Sequence, residues 1–166
     1  MGSIVSNQMP SQCPALAHFL HAMEKLAPLK LADKSWDNVG LLFETPVARL
    51  ASNGKCRVLL TIDLTEPVYQ EAVEKQVGII MSYHPPWFSG EKSLTLDRSR
   101  GVMRMVALCA SSGISIYSPH SALDAIKDGI NTHVAKILSG DMNVESINPI
   151  IPAADPIYFG TGARHA

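Results

Sequence analysis

The chain has 166 residues, of which 46% are hydrophobic and 17% charged, so it is long and apolar enough for one domain, or one lobe of a larger protein. Its net charge of −1 provides no basic field for nucleic acid, and no run of 18 apolar residues indicates a membrane span. Three widely spaced cysteines argue against a disulfide framework and a zinc ribbon. We therefore expect a soluble protein of a reducing compartment, cytoplasmic by default, with a nuclear or mitochondrial location left open.

The first predicted element is an amphipathic helix. Its apolar residues recur every three or four positions from Leu16 to Ala27, and Pro28 ends it. Two short apolar runs rich in strand-forming residues follow at 40–44 and 57–63, separated by a polar turn. This spacing favours two neighbouring strands.

Two helix–strand units come next along the chain. A helix that begins at Thr65 and closes at Gly78 is followed by a strand over 79–81. A second helix ends at Gly113 and is followed by a strand over 114–117. Alternating strands and helices with short connections predict an α/β fold with a mostly parallel sheet flanked by helices.

The last strong signal is a helix over 130–138 with Gly140 as its stop. Beyond it the periodicity fades into a proline-rich stretch, and a new strand-like run begins only near the end. We therefore expect an α/β lobe over 1–140, followed over 141–166 by a linker and the start of a truncated second lobe.

Polar residues follow three predicted strands, at 63–65, 82–86 and 118–124. Ligands in parallel α/β sheets bind beyond the carboxyl ends of the strands, so these stretches converge if the strands are adjacent. His84 offers an imidazole and Asp124 a carboxylate, the ligand types of catalytic zinc, iron and manganese sites. The sequence thus predicts a candidate site at one edge of the sheet.

Each of these residues also has a simpler interpretation. A single histidine such as His84 is often a capping or hydrogen-bonding residue. His120 and Asp124 are four apart, but the flanking proline and glycine favour a loop over a helix. Asp63 is equally a turn residue, and the stretch 36–38 is compatible with an Asx turn beside a buried tryptophan.

Read together, these stretches resemble one known family. The motifs SWDNVGLL (35–42), DLT (63–65), SYHPP (82–86) and YSPH with LDA and GIN (117–131) are similar, in order, to those of the NIF3-like family, the NGG1-interacting factor 3 proteins. The similarity runs from about residue 28 to 140. The Tyr-His-Pro-Pro form is closest to the eukaryotic branch, because bacterial members usually carry His-His-Pro.

The resemblance implies an α/β fold of two similar lobes with a dinuclear divalent-metal site in the cleft, of which this chain has the N-terminal lobe. By this similarity His84 and Asp124 are ligands of the first metal, whether zinc, iron or manganese. Tyr83 replaces a histidine ligand of the second metal, and a phenol with a pKa of about 10 is a poor substitute. His120 matches a histidine lining the site, with either a catalytic role in proton transfer or a supporting role behind the metal ligands. The family's other ligands come from the C-terminal half.

The resemblance also implies a function. A metal-dependent hydrolase acting on a nucleotide-like or other small substrate is expected, because bacterial members are often labelled as GTP cyclohydrolase type 2 homologues. The truncated chain supplies only two ligands, which leaves its activity open. The alternative is a non-catalytic interaction module that works with transcriptional regulators. Self-association into a homo-oligomer is also expected, since a lone lobe exposes the apolar face that its other half covers.

Overall fold

A computed structural model describes residues 13–90, 92–97 and 101–140. In it, the predicted runs of apolar and β-branched residues form four strands of one sheet. The strands are β1 (Gly40–Phe43), β2 (Arg57–Thr61), β3 (Val77–Ser82) and β4 (Ser115–Ser118). Their order is β1-β4-β3-β2; β2, β3 and β4 are parallel, and β1 pairs antiparallel with β4. This confirms the predicted α/β class.

Five α-helices are described: α1 (Pro14–Leu26), α2 (Glu66–Glu74), α3 (Val102–Ser111), α4 (His120–Asp124) and α5 (Ile130–Ser139). The cap of α2 is as predicted, because Oγ1 of Thr65 accepts a hydrogen bond from the Val68 amide at 3.5 Å. α5 ends at Gly140, whose φ of +69° suits the left-handed position after a helix. None of the described helices is both long and apolar enough to span a bilayer.

Two expectations about the secondary structure are wrong. β1 and β2 are not neighbours; they lie at opposite edges of the sheet with β4 and β3 between them. The segment joining them passes the end of the sheet, where the Arg49 amide donates to the Gly113 carbonyl at 2.9 Å. α2 ends at Glu74, and Gly78 is already inside β3. A Cβ at Gly78 would lie 2.4 Å from the Arg49 carbonyl oxygen, so this glycine permits a close backbone approach.

The sheet is packed on both faces. Ile80 and Ile116 face α2 and α3, where Cys109 is fully buried in the same cluster. Burial raises the pKa of the Cys109 thiol to about 12, so it remains a neutral packing group. Tyr117, one position further along, faces α1 and meets the Phe19 ring edge-on at 5.3 Å. The alternation along β4 therefore builds a three-layer structure.

One part of the sheet is left open. Leu59 of β2 packs into the α2–α3 layer, but Leu60 and Ile62 point to the opposite face and are 69% and 60% exposed. Together with Ile130 at the start of α5, they line an open groove of about 690 Å³. We call this surface the apolar groove. The predicted linker and second-lobe strand at 141–166 lie outside the described residues, so that domain boundary stays a prediction.

Candidate functional site

The carboxyl ends of β2, β3 and β4 are adjacent, as convergence of the three polar stretches requires. Hydrogen bonds join the connections that leave these strands. The His84 amide donates to the Ile62 carbonyl at 3.0 Å, and Oγ of Ser118 donates to the Tyr83 carbonyl at 2.8 Å. The backbone beyond each strand is thereby held in place, and the side chains that follow it meet at one edge.

His84 follows β3 and pairs with Asp63, which follows β2. The Nδ1 atom of His84 lies 2.8 Å from Oδ1 of Asp63, and both side chains are largely exposed. A carboxylate only accepts hydrogen bonds, so Nδ1 carries the proton in this pair. The Nε2 atom of His84 has no hydrogen-bond partner among the described residues. The arrangement leaves Nε2 able to accept a proton or bind a metal ion.

His120 pairs in the same way with Asp37, but in a buried setting. Nδ1 of His120 lies 2.8 Å from Oδ1 of Asp37, whose side chain is fully buried. Asp37 also accepts hydrogen bonds from the backbone amide of Ser121, at 3.1 Å, and from its hydroxyl. Burial by itself raises the pKa of Asp37, yet the bonds from Ser121 and His120 outweigh it and hold the pKa below its usual range. Asp37 is therefore ionised and able to stabilise an imidazolium.

The segment 120–124 was expected to be a loop, and this expectation is wrong: it forms the helical turn α4. The Ala122 amide donates to the Pro119 carbonyl at 2.9 Å. The Ser121 amide lies in the first turn of α4, where it has no acceptor within the helix, and it donates to the carboxylate of Asp37 instead. Because Asp37 is 84 positions away, no local pattern predicts this cap. His120 has a φ of +26°, an uncommon value for a residue with a side chain.

Asp124, at the end of α4, is held by Tyr83. The phenolic Oη of Tyr83 donates to Oδ1 of Asp124 at 2.6 Å, and Asp124 is only 8% exposed. Burial and the adjacent Asp124 carboxylate raise the pKa of Tyr83, so the phenol stays protonated. Tyr83 also contacts the His84 ring, with centroids 5.0 Å apart. The two predicted metal ligands, His84 and Asp124, thus both contact Tyr83.

The rings at this edge form an aromatic cluster centred on His120. Its centroid lies 5.3 Å from that of Tyr83, 5.6 Å from those of His84 and Trp36, and 5.8 Å from that of Phe88. Trp36 was expected to be buried and is instead 48% exposed, because its loop lies at the open end of the sheet. Phe88 is 53% exposed. Histidines and partly exposed aromatic rings therefore share one surface.

The donors at this edge do not complete a metal site by themselves. A catalytic zinc site takes three protein ligands and keeps one open position. Within 13–90, 92–97 and 101–140, no group of three or more His, Cys, Asp or Glu side chains is placed to hold a metal ion. His84 and Asp124 are two suitable donors, and the protonated phenol of Tyr83 is a poor third. The described residues alone therefore do not fit a bound metal.

Sequence reasoning missed the carboxylates that hold the two histidines. Asp37 was interpreted as part of an Asx turn, and Asp63 as a turn residue before the helix cap at Thr65. The Asn38 amide donates to Oδ1 of Asp37 at 2.8 Å, but this bond joins adjacent residues, whereas an Asx turn joins the side chain to the amide two residues on. The signal available for Asp63 was its position directly after a strand; Asp37 had none, because its partners are more than 80 residues away.

The family model described as Duf34/NIF3 (NGG1p interacting factor 3) matches residues 14–153. NIF3-like protein 1 of Drosophila melanogaster is 42% identical over 151 residues, which cover 89% of this chain and 47% of the relative. NGG1-interacting factor 3 of Saccharomyces cerevisiae is 38% identical over 132 residues, covering 78% of this chain and 46% of the relative. The chain spans less than half the length of these curated relatives.

Solved structures give the same result. A Bacillus cereus protein related to NIF3 superposes with a TM-score of 0.66 at 28% identity, covering 85% of this chain and 37% of that one. A Staphylococcus aureus protein, SA1388, superposes with a TM-score of 0.62 at 29% identity, covering 75% and 39%. The resemblance expected from the four motifs is confirmed: the chain belongs to the Duf34/NIF3 family.

Proposed function

We propose that the cluster at the carboxyl ends of β2, β3 and β4 is one wall of a hydrolytic site in which His120 transfers a proton. The observation that carries this proposal is a pair of histidines, His84 and His120, each held by a carboxylate 2.8 Å from Nδ1. A carboxylate that orients an imidazole and stabilises its charged form is the arrangement of general acid–base catalysis.

The proton path follows from the hydrogen bonds. With its proton on Nδ1, neutral His120 accepts a second proton at Nε2 from an attacking water. The ionised Asp37 stabilises the resulting imidazolium, because its carboxylate stays within hydrogen-bond distance of Nδ1. The imidazolium then returns the proton to the leaving group as the scissile bond breaks. Ser121 keeps Asp37 in position through two hydrogen bonds.

We extend the proposal to a divalent ion of zinc, iron or manganese bound by His84 and Asp124, with further donors from outside the described residues. Support comes from the Asp63–His84 pair, since metal-binding histidines usually donate their other ring N–H to a carboxylate or a carbonyl. Two donors hold such an ion weakly, so this chain is expected to bind it with low affinity unless another segment or protein completes the site.

Zinc titration of the purified chain by calorimetry tests the metal part. We expect His84→Ala and Asp124→Ala each to weaken zinc binding about tenfold or more, because each removes one of two donors. His18→Ala, an exposed histidine on α1, is the matched control and should leave binding unchanged. Equal affinity in all four proteins would exclude His84 and Asp124 as ligands.

Hydrolysis of a panel of nucleotides and simple phosphate esters tests the catalytic part. His120→Ala should lower kcat by roughly 10²–10⁴ for any substrate that the wild-type chain hydrolyses, since that is the usual contribution of an acid–base group. Asp37→Asn should also lower kcat, because it removes the charge that stabilises the His120 imidazolium. The proposal fails if no compound is hydrolysed with added zinc or manganese, or if His120→Ala has wild-type activity.

A second candidate function is a protein-interaction module working with a transcriptional regulator, in the nucleus at least in part. The Saccharomyces cerevisiae relative is named NGG1-interacting factor 3, and the exposed apolar groove offers a surface of the kind that protein partners cover. Binding to a purified regulator should then be lost in Leu60→Asp and kept in His120→Ala. The reverse result would favour the hydrolytic site as the functional surface.

A further inference from the structure

We propose that the substrate carries a planar heteroaromatic ring, such as a nucleobase, and that Trp36 and Phe88 bind this ring by stacking. The inference rests on the proposed hydrolytic site and names the substrate class it accepts. It starts from two aromatic side chains that are 48% and 53% exposed beside the central histidine.

The two rings form a platform rather than two isolated exposed residues. Their centroids are 6.1 Å apart with planes tilted by 36°, and each also contacts the His120 ring. Aromatic residues are costly to expose in pairs, and stacking a base on one is worth about 1–3 kcal/mol. A ring placed on the platform lies next to the imidazole that is proposed to transfer the proton.

The platform is held in position before any ligand binds. The loop that carries Trp36 is anchored at both ends: the Asp33 amide donates to Oγ of Ser121 at 3.0 Å, and Nδ2 of Asn38 donates to the Trp87 carbonyl at 2.7 Å. The Asn38 bond ties this loop directly to the segment that carries Phe88. A pre-organised surface loses less conformational entropy on binding, which favours recognition by the ring itself.

The charges of the cluster also favour the ring over a phosphate tail. The charged side chains whose contacts define the cluster are the carboxylates of Asp37, Asp63 and Asp124, and none of the described members is Lys or Arg. Phosphate groups are normally bound by Arg, Lys or a metal ion. We therefore expect this chain to bind nucleosides at least as tightly as the matching triphosphates when no metal is added.

Fluorescence of Trp36 tests the proposal directly. The chain has two tryptophans, so Trp87→Phe leaves Trp36 as the only reporter and keeps the carbonyl that Asn38 binds. Adenosine and guanosine should quench this fluorescence saturably, and ribose 5-phosphate should not. Adding Phe88→Leu should weaken nucleoside binding about tenfold, the lower part of the range for a lost stacking contact, and Phe88→Tyr should restore it.

Leu26→Ala, an exposed apolar residue on α1, is the matched control and should leave nucleoside affinity unchanged. Quenching that does not saturate, or that survives Phe88→Leu unchanged, overturns the stacking proposal. If His120-dependent hydrolysis of a non-aromatic phosphate ester persists in that case, the proposed function stands and only the substrate class is wrong. Saturable, Phe88-dependent quenching without any hydrolysis supports the ring site and contradicts the proposed chemistry.

Discussion

The cluster of histidines and carboxylates at the carboxyl ends of β2, β3 and β4 meets the apolar groove at Tyr83 and Asp124, yet the chain completes the cluster and leaves the groove open. In the cluster, the side chain of Asp37 and the residue Asp124 are buried, and both carboxylates accept hydrogen bonds from side chains distant in sequence. No buried side-chain polar atom in the described part of the chain lacks a partner. In the groove, Leu60, Ile62 and Ile130 are all more than half exposed.

The difference shows which surface the chain arranges by itself. Hydrogen bonds within the chain hold the side chains of the cluster in position, so the proposed proton transfer and ring binding need no other molecule to arrange these side chains. The groove exposes apolar surface that water solvates poorly, so we expect another surface to cover it. We predict that a second copy of this chain covers the groove.

The largest expected effect comes from breaking the cluster at its most connected residue. Asp37→Ala removes the acceptor of four hydrogen bonds, which come from the His120 ring, the amide and hydroxyl of Ser121 and the Asn38 amide, and it leaves these partly buried donors unpaired. We expect the free energy of unfolding in urea to fall by about 2–4 kcal/mol. Asp128→Ala, an exposed carboxylate before α5, should change it by less than about 0.5 kcal/mol. Equal losses in the two variants would show that the cluster is not an internal framework.

The next effect concerns the groove. We expect the wild-type chain to self-associate in light scattering, and Leu60→Asp or Ile130→Asp to raise the dissociation constant about tenfold or more, because burying each side chain is worth about 1.5–3 kcal/mol. His18→Asp, on an exposed part of α1, should have no such effect. A wild-type chain that stays monomeric at high concentration would contradict a second copy as the cover.

A smaller effect is expected at the border between the two regions. Tyr83→Phe removes a hydrogen bond to a carboxylate and should lower the free energy of unfolding by about 1 kcal/mol. Tyr69→Phe removes the neutral bond to Ser112, at 2.9 Å, and should cost less, because bonds to charged groups are stronger. The two losses are compared by thermal or urea unfolding. A larger loss for Tyr69→Phe would mean that Asp124 does not depend on Tyr83.

The smallest effect is a pH dependence confined to the cluster. The pKa of Asp37 is lowered in the folded chain, whereas an unfolded aspartate titrates near about 3.9. Its ionised form therefore stabilises the fold above about pH 5, and this contribution is lost as the pH falls through the lowered value. The stability gap between wild type and Asp37→Asn should narrow as the pH falls below about pH 4, where the wild-type carboxylate becomes protonated. A gap that widens below about pH 4 would reverse the assigned direction of the shift.

Much of the fold follows from local patterns. The three- and four-residue spacing of apolar side chains predicted α1 and α5, and Thr65 predicted the start of α2, because helix faces and caps depend on residues within one turn. The sequence also predicted that the three polar stretches after β2, β3 and β4 lie together, because the loops that follow parallel strands lie at the same edge of the sheet. Four ordered motifs were enough to identify the family.

The sequence by itself therefore determined α1, α2, α3 and α5, the class of the sheet and the family, together with His84, His120 and Asp124 as candidates for the site. Only the tertiary structure decided what those candidates contact. Asp37 caps α4 and orients His120 across more than 80 residues, and β1 lies beside β4 instead of β2. The exposure of Trp36 was likewise decided by the tertiary structure. The physical reason is common to all three: they depend on contacts between segments far apart in the chain, which no local periodicity or turn signal encodes.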